Sequence, residues 1–318
     1  MPADGFDATA DEVMDGIRLD GRTVIVTGGS GGLGEETVRV FAAAGAHVVF
    51  TARDPARAAA AAERIRSRHP GASLSWRLAD LSSLRHALRL GDELAECAAG
   101  ADVLVANAGI MGGPLRRSAE GWEAQFATNY LSHYALIARL VPQLLRNAPS
   151  RAVLVSSAGH GFGRIDWDDL HYQRRPYQGL EAYGQSKTAL ILLARELDRR
   201  FRDRGLRAAS VHPGGIHTEL GRSFTPGDRQ VVVDRMAERG EPFVYKSLQQ
   251  GAATQVWASV VADPDLIGGR YLEDCRVAEV NPHNNGTGPG VRPEAVDASQ
   301  AARLIEVSAG LTGVRLPD

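Results

Sequence analysis

A doubly wound α/β fold, one domain with a parallel sheet and helices on both faces, is the architecture this sequence predicts. Three observations lead to it. Short apolar runs alternate with longer helix-forming stretches along most of the chain. The runs are apolar throughout, as in strands buried on both faces, and do not alternate with polar residues. Neither an internal repeat nor a break in composition divides the 318 residues, although at roughly 150 residues per domain two domains would fit.

The elements follow in order. Thr23-Val24-Ile25-Val26 is the first strand, and a helix from Leu33 to Ala44 follows it, stopped by Gly45. His47 to Phe50 is the second strand. Asp54-Pro55 then starts a helix, since Asp caps and Pro suits the first turn, and this Ala-rich segment runs to about Arg68 before Pro70-Gly71. Leu74 to Leu78 is a third strand and Ser82 to Cys97 a helix. Asp102 to Ala106 is the fourth strand, and a long helix lies within Ala119 to Arg146. Ala152 to Val155, the helix Glu181 to Arg202 and Ala208 to His212 continue the alternation. Ser247 to Val261 is helical, Gly269 to Leu272 is a last strand, and a final helix lies near Val296 to Ser308. This pattern divides the chain into an acidic lead-in over 1–18, a main domain over 19–280, and a C-terminal loop and helix over 281–318.

Composition excludes several classes of function. The formal net charge is -2, from 36 basic and 38 acidic residues, so a nucleic-acid partner is not expected. No run approaches the ~18 apolar residues of a membrane span. Met1 to Asp20 carries six acids and one Arg, unlike a signal peptide, so a cytoplasmic protein with no membrane partner is expected. Cys97 and Cys275 suit a reducing compartment, and no Cys/His cluster has the spacing of a metal site. Of the 36 basic residues only Lys187 and Lys246 are lysines. A chain that uses Arg wherever a cation will do invites a reason for each.

Thr27-Gly28-Gly29-Ser30-Gly31-Gly32-Leu33-Gly34 joins the first strand to the first helix. Glycine lets backbone turn tightly and approach a ligand, and the following helix offers free N–H groups to a phosphate. In that position the loop points to a Rossmann-type dinucleotide site rather than a plain turn, with Gly28, Ser30, Gly32, Leu33 and Gly34 at the pyrophosphate. The second strand ends Thr51-Ala52-Arg53-Asp54. NAD binders carry an acid at that tip to hold the ribose 2′-OH. Here Arg53 follows, and a guanidinium favours a 2′-phosphate, while Asp54 serves as a helix cap. The cofactor expected is therefore NADP(H) in preference to NAD(H), although Arg53 could also be an ordinary surface cation. Asp80-Leu81 after the third strand suits an adenine, and Asn107-Ala108-Gly109 after the fourth lies near the switch point where ligands bind.

Tyr183 and Lys187 are four apart, on one face of a helix. A free phenol has a pKa near 10, and a neighbouring ammonium lowers it. The pair is suited to handling a proton near neutral pH, with Tyr183 expected to titrate below a free phenol.

With these residues in place, the chain resembles the short-chain dehydrogenases/reductases from about Leu19 to Leu272. The shared elements are Thr-Gly-x-x-x-Gly-x-Gly (Gly28, Gly32, Gly34), Asn107-Ala108-Gly109, Asn129, Ser156-Ser157, Tyr183-x-x-x-Lys187 and Pro213-Gly214. The resemblance implies a Rossmann-type catalytic domain and Tyr183 as general acid/base. It implies that Ser157, with Ser156 its rival, binds the substrate oxygen, that Lys187 binds the nicotinamide ribose, and that Asn129 holds a relay water. Pro213, Gly214, Ile216 and Thr218 would flank the carboxamide. It further implies a carbonyl or alcohol as the small-molecule partner, and a homodimer or homotetramer.

Thr-Ala-Arg-Asp, Ser-Ser-Ala-Gly-His and the 26-residue approach from Ser157 to Tyr183 resemble retinol-dehydrogenase-like and protochlorophyllide-reductase-like members. The approach carries Phe162, Trp167, Tyr172 and Tyr177. These either wall an apolar substrate site, so that a bulky apolar substrate is expected, or dock a neighbouring subunit. A substrate loop is expected between Ile216 and Lys246. A catalytically silent dinucleotide-binding regulator is the alternative from another class, but it would need none of Asn129, Ser157, Tyr183 and Lys187. An epimerase or dehydratase would differ in the spacing of the glycine loop.

Overall fold

The computed structural model of the chain describes residues 5–96, 100–239 and 242–318. Cys97 and the first four residues of the acidic lead-in lie outside the described residues. Eight strands form one sheet: β1 (Thr23–Val26), β2 (His47–Ala52), β3 (Ser73–Leu78), β4 (Val103–Ala106), β5 (Ser150–Val155), β6 (Leu206–His212), β7 (Tyr271–Glu273) and β8 (Arg276–Val277). Their spatial order is β3-β2-β1-β4-β5-β6-β7-β8. All neighbours are parallel except β7 and β8, which pair antiparallel across a two-residue turn at Asp274 and Cys275, both at positive φ. That last hairpin adds one antiparallel pair to the expected parallel sheet, because two residues at positive φ reverse the chain before a crossover helix can form.

The helices are α1 (Ala10–Val13), α2 (Gly32–Ala43), α3 (Pro55–Arg68), α4 (Leu84–Ala95), α5 (Ser132–Arg146), α6 (Gly179–Phe201), α7 (Pro226–Ala237), α8 (Leu248–Val256), α9 (Pro264–Ile267) and α10 (Ala298–Thr312). Strand side chains alternate between two cores. Val24, Val26, Val48, Phe50, Val105, Val153 and Val211 pack with α1, α2, α3 and α8 on one face. Ile25, Val49, Leu104, Leu154 and Ala208 pack with α4, α5, α6 and α10 on the other. Each fully buried Val, Leu or Phe contributes about 1.5–3 kcal/mol, so two filled faces fix the register firmly.

Three elements carry more detail than expected. The long helix expected within Ala119 to Arg146 is α5, preceded by a π-helical turn, Phe126–Leu131. Helix α8 likewise passes into a π-helical turn at Trp257–Val261. The segment between Ile216 and Lys246 is not only a loop. It contains α7, whose sole buried residue is Asp228 and which is started by a Thr225–Asp228 capping box with Pro226 in the first turn.

Six of the seven tyrosines are Tyr130, Tyr134, Tyr172, Tyr177, Tyr183 and Tyr271, and in each burial is the first cause of a phenol pushed above its ordinary value. Their stabilising effect is fully present below the unfolded value near 10 and is lost as pH rises toward the folded values, because the unfolded chain releases those protons first. The melting temperature should therefore fall steeply above about pH 10. A melting temperature that stays level to pH 11 would contradict this account.

Candidate active site

The carboxyl ends of the parallel strands β1, β2, β4, β5 and β6 lie along one edge of the sheet. There Thr27 ties the first turn to the fourth strand. Its hydroxyl accepts from the backbone N–H of both Asn107 and Ala108 at 2.9 Å and contacts His133 Nε2 at 2.9 Å. Asn107 Nδ2 donates to the Thr27 carbonyl at 2.9 Å. The glycine loop crosses this turn so closely that a Cβ on Gly34 would lie 2.3 Å from the Gly28 carbonyl oxygen, and one on Gly28 would lie 3.0 Å from Ala108 Cα. Gly28 and Gly32 also sit at positive φ. Beyond the loop the space is open: a Cβ on Gly32 would meet nothing nearer than Thr218 Cγ2, at 4.0 Å.

Thr51, at the tip of β2, is buried, and its hydroxyl accepts from Gly28 N–H at 3.0 Å. Arg53 follows it, exposed, with no ion pair among the described residues, and Asp54 caps α3 through Ala56 N–H at 2.8 Å. Asp80 accepts from Ser82 N–H at 3.0 Å, and Leu81 is buried at the end of β3. Sequence reasoning overlooked Arg57. Its guanidinium pairs with Glu219 at 3.1 Å and lies 3.4 Å from where a Cβ on Gly31 would stand, putting a cation beside the glycine loop. The sequence cue was the Asp54-Pro55 helix start, which turns the side chain three positions on back toward that loop.

Elsewhere at this edge Ser157, Tyr183 and Lys187 come together. Ser157 follows β5 and caps a short 3-10 turn, Ala158–Phe162. Its Oγ accepts from Gly159 N–H at 3.0 Å and faces the Tyr183 ring across Gly159, where an added Cβ would lie 3.2 Å from Ser157 Oγ. Gly159 permits that approach, since a Cβ there would stand 2.7 Å from the Tyr183 ring. Ser156 points the opposite way, buried, donating to the Lys187 carbonyl at 2.9 Å. Lys187 Nζ donates to the Val155 carbonyl at 2.8 Å and lies 5.5 Å from the centre of the Tyr183 ring. Burial pushes Lys187 down to about 7.

The expected depression of the Tyr183 pKa is corrected. Burial pushes the phenol up to about 12, against a smaller opposing pull from Ser157. The physical reason is that a phenolate would lose its hydration, while the nearby amine is bound to Val155.

Asn129 is fully buried in the π-helical turn, a feature frequent at functional sites. Its Oδ1 accepts from Ile110 N–H at 2.8 Å, and Nδ2 donates to the Ile110 carbonyl at 3.0 Å and to Ser186 Oγ at 2.9 Å. It therefore stitches the segment after Gly109 to α6. A Cβ on Gly109 would lie 3.2 Å from Asn129 Oδ1 and 3.6 Å from Lys187 Nζ, so Gly109 faces both.

After β6, Pro213 leads into Gly214, at positive φ. A Cβ on Gly214 would press on Lys246 Cδ at 2.7 Å. Lys246 is buried, pairs with Asp274 at 2.5 Å and lies 4.5 Å from the Phe6 ring centre, while its N–H donates to the Gly215 carbonyl at 2.8 Å. The second lysine thus props this turn. Ile216 and Leu33 meet over Gly251 of α8, and Thr218 accepts from Leu220 N–H at 3.2 Å. The aromatic approach to Tyr183 divides. Trp167 donates to Gln300 of α10 at 2.7 Å, and Tyr172 is buried against Tyr177. Only Phe162, packed on Gly286, borders the serine turn. Apolar rings come instead from Phe224 over Gly112 and Phe243 over Gly215. Among the described residues no cluster of His, Cys, Asp or Glu could hold a metal ion, and no helix is long and apolar enough to cross a membrane.

Comparison with known proteins agrees with this fold. The family model described as short chain dehydrogenase matches residues 22–229. The oxidoreductase calI of Penicillium decumbens is 36% identical, over 96% of this chain and 92% of its own. Human retinol dehydrogenase 13 is 33% identical, over 94% and 87%. The Pseudomonas aeruginosa RhlG/NADP active-site complex superposes with a TM-score of 0.61 at 28% identity, covering 80% of this chain and 95% of that one.

Proposed function

Because the chain belongs to the short-chain dehydrogenase family, a family of oxidoreductases acting on small molecules, we propose that it is an NADP(H)-dependent enzyme transferring hydride between nicotinamide and a carbonyl or alcohol. One observation carries this: Ser157 Oγ and the Tyr183 ring close on the same point at Gly159, with Lys187 one helical turn on. The residues also fit a dinucleotide. Side chains at Gly28 and Gly34 would collide with neighbouring backbone, yet the space over Gly32 is clear.

Bound nicotinamide supplies or accepts the hydride. Ser157 and Tyr183 hold the substrate oxygen between two hydroxyls. Tyr183, which keeps its proton in the folded chain, donates it to that oxygen in reduction and takes it back in oxidation. Asn129 positions α6 against the Gly109 turn, and Lys187 would hold the ribose. Pro213, Gly214, Ile216 and Thr218 would hold the carboxamide. Arg53, with Arg57 nearby, favours a 2′-phosphate. Phe224 and Phe243 favour a bulky, largely apolar substrate. A cytoplasmic setting and a homodimer or homotetramer belong to the same proposal.

The test is a titration of NADPH and NADH by protein fluorescence, followed by a carbonyl and alcohol panel. NADPH should bind more tightly. Arg53→Ala should weaken NADPH about 10- to 100-fold, the worth of a charged hydrogen bond, and leave NADH nearly unchanged. Tighter NADH binding overturns the cofactor assignment. Turnover confined to small charged keto acids overturns the substrate class.

A further inference from the structure

The peptide unit between Ser157 and Ala158 is held at both of its polar atoms by histidines. His160 Nδ1 lies 2.8 Å from the Ser157 carbonyl oxygen. The Ala158 N–H donates to His212 Nδ1 at 3.1 Å. A carbonyl only accepts and an amide only donates, so these partners fix the protons on both rings. His160 carries its proton on Nδ1. His212 presents a bare Nδ1, so as a neutral ring its proton is on Nε2.

Each ring reaches a second segment. His160 Nε2 accepts from Arg292 N–H at 3.1 Å, which requires that nitrogen to be bare and the ring to be neutral. Arg292 belongs to the C-terminal loop, which also covers Gly161 through Asn284 and Gly286. His212 Nδ1 also faces Gly214 N–H at 3.4 Å, on the Pro213–Gly214 turn. His160 is 1% exposed and set edge-on to Tyr271 at 5.1 Å. Neither ring is in hydrogen-bond contact with Tyr183 or Lys187.

We propose that His160 and His212 are positioning residues. As neutral rings of opposite tautomer they clamp the Ser157–Ala158 peptide, and so couple the orientation of Ser157 to the C-terminal loop and to the Pro213–Gly214 turn. A turn of that peptide plane would swing Ser157 Oγ away from Tyr183, so the clamp matters for chemistry more than for cofactor binding. Burial, with Arg292 near one ring and Lys246 near the other, holds His160 down to about 4 and His212 to about 3, with Glu294 opposing at His160. The clamp rests on the proposed role of Ser157, but its geometry can be measured independently of turnover.

The test has two arms on the full chain. In the first, nitrogen-15 NMR of labelled histidine side chains, assigned by the missing signals of His160→Asn and His212→Asn, reads the tautomers. His160 should carry its proton on Nδ1 and His212 on Nε2, and neither should titrate between pH 5 and 9. A shared tautomer, or an imidazolium in that range, overturns the clamp. In the second, NADPH oxidation is followed with the best carbonyl from the panel. His160→Leu and His212→Leu should lower kcat about 10- to 100-fold, as for a misplaced catalytic group, with NADPH affinity retained. Asparagine places an amide where Nδ1 stood, so His160→Asn and His212→Asn should recover most of the loss. His160→Gln, which reaches only toward Arg292, should behave like His160→Leu. Leucine variants that keep full kcat, or asparagine variants that recover nothing while folded, overturn the proposal. If Ser157→Ala keeps full activity while the tautomers are as stated, it is the role of Ser157 that fails and not the clamp.

Discussion

Tyr183→Phe is expected to lower kcat by about 10³-fold, within the range attributed to a positioned acid or base, while NADPH still binds. The substitution keeps the ring against Gly159 and removes only the hydroxyl. Lys187→Ala should also collapse turnover and should weaken cofactor binding as well. The double variant should be little worse than Tyr183→Phe alone, as for residues that act as one unit. The pH–rate profile adds a second check. Burial holds Tyr183 up at about 12, against a smaller pull from Ser157, and Lys187 down at about 7. With NADPH bound, the rate of reduction should hold through the free phenol's value near 10 and fall only as pH rises toward about 12. Substantial turnover by Tyr183→Phe would mean that the proton comes from elsewhere.

The second large effect separates two adjacent serines. Ser157→Ala should lower kcat about 100-fold, as for the loss of one donor at a developing oxyanion, with little change in melting temperature. Ser156→Ala should do the reverse. Its hydroxyl is spent on the Lys187 carbonyl, so its loss should cost stability of about 1 kcal/mol, the net worth of a buried hydrogen bond, and leave most of the turnover. If Ser156→Ala proves the more damaging to kcat while both variants are folded, the assignment of Ser157 is wrong.

The fold was legible because its signals are local. Apolar strands, capped helices and the Thr27–Gly34 loop each declare themselves within a dozen residues. Ser157, Tyr183 and Lys187 were legible because short motifs carry them. What escaped depends on contacts between distant segments. His160, His212, Arg57 and Lys246 draw their roles from partners 28 to 162 positions away, such as Arg292, Ala158, Glu219 and Asp274. The π-helical turn carries Asn129, whose partners Ile110 and Ser186 lie on other segments, and it has no sequence cue. Helix α7 did have one, Thr225-Pro226 with Asp228, but an almost wholly exposed helix lacks the apolar stripe by which helices are usually found. The rise of the Tyr183 pKa was missed because charge proximity can be inferred from spacing, whereas burial cannot.

Both lysines of the chain are buried, one under Tyr183 and the other under Gly214. The folded molecule therefore offers amine-directed reagents almost no side-chain target, despite its many surface cations, which are arginines. Acylation of lysine becomes a gauge of opening at these two places and nowhere else. A protease that cuts only after lysine would have two sites, both at buried side chains. Immobilisation or fluorescent labelling through lysine would select unfolded molecules, and should be replaced by chemistry aimed at another group.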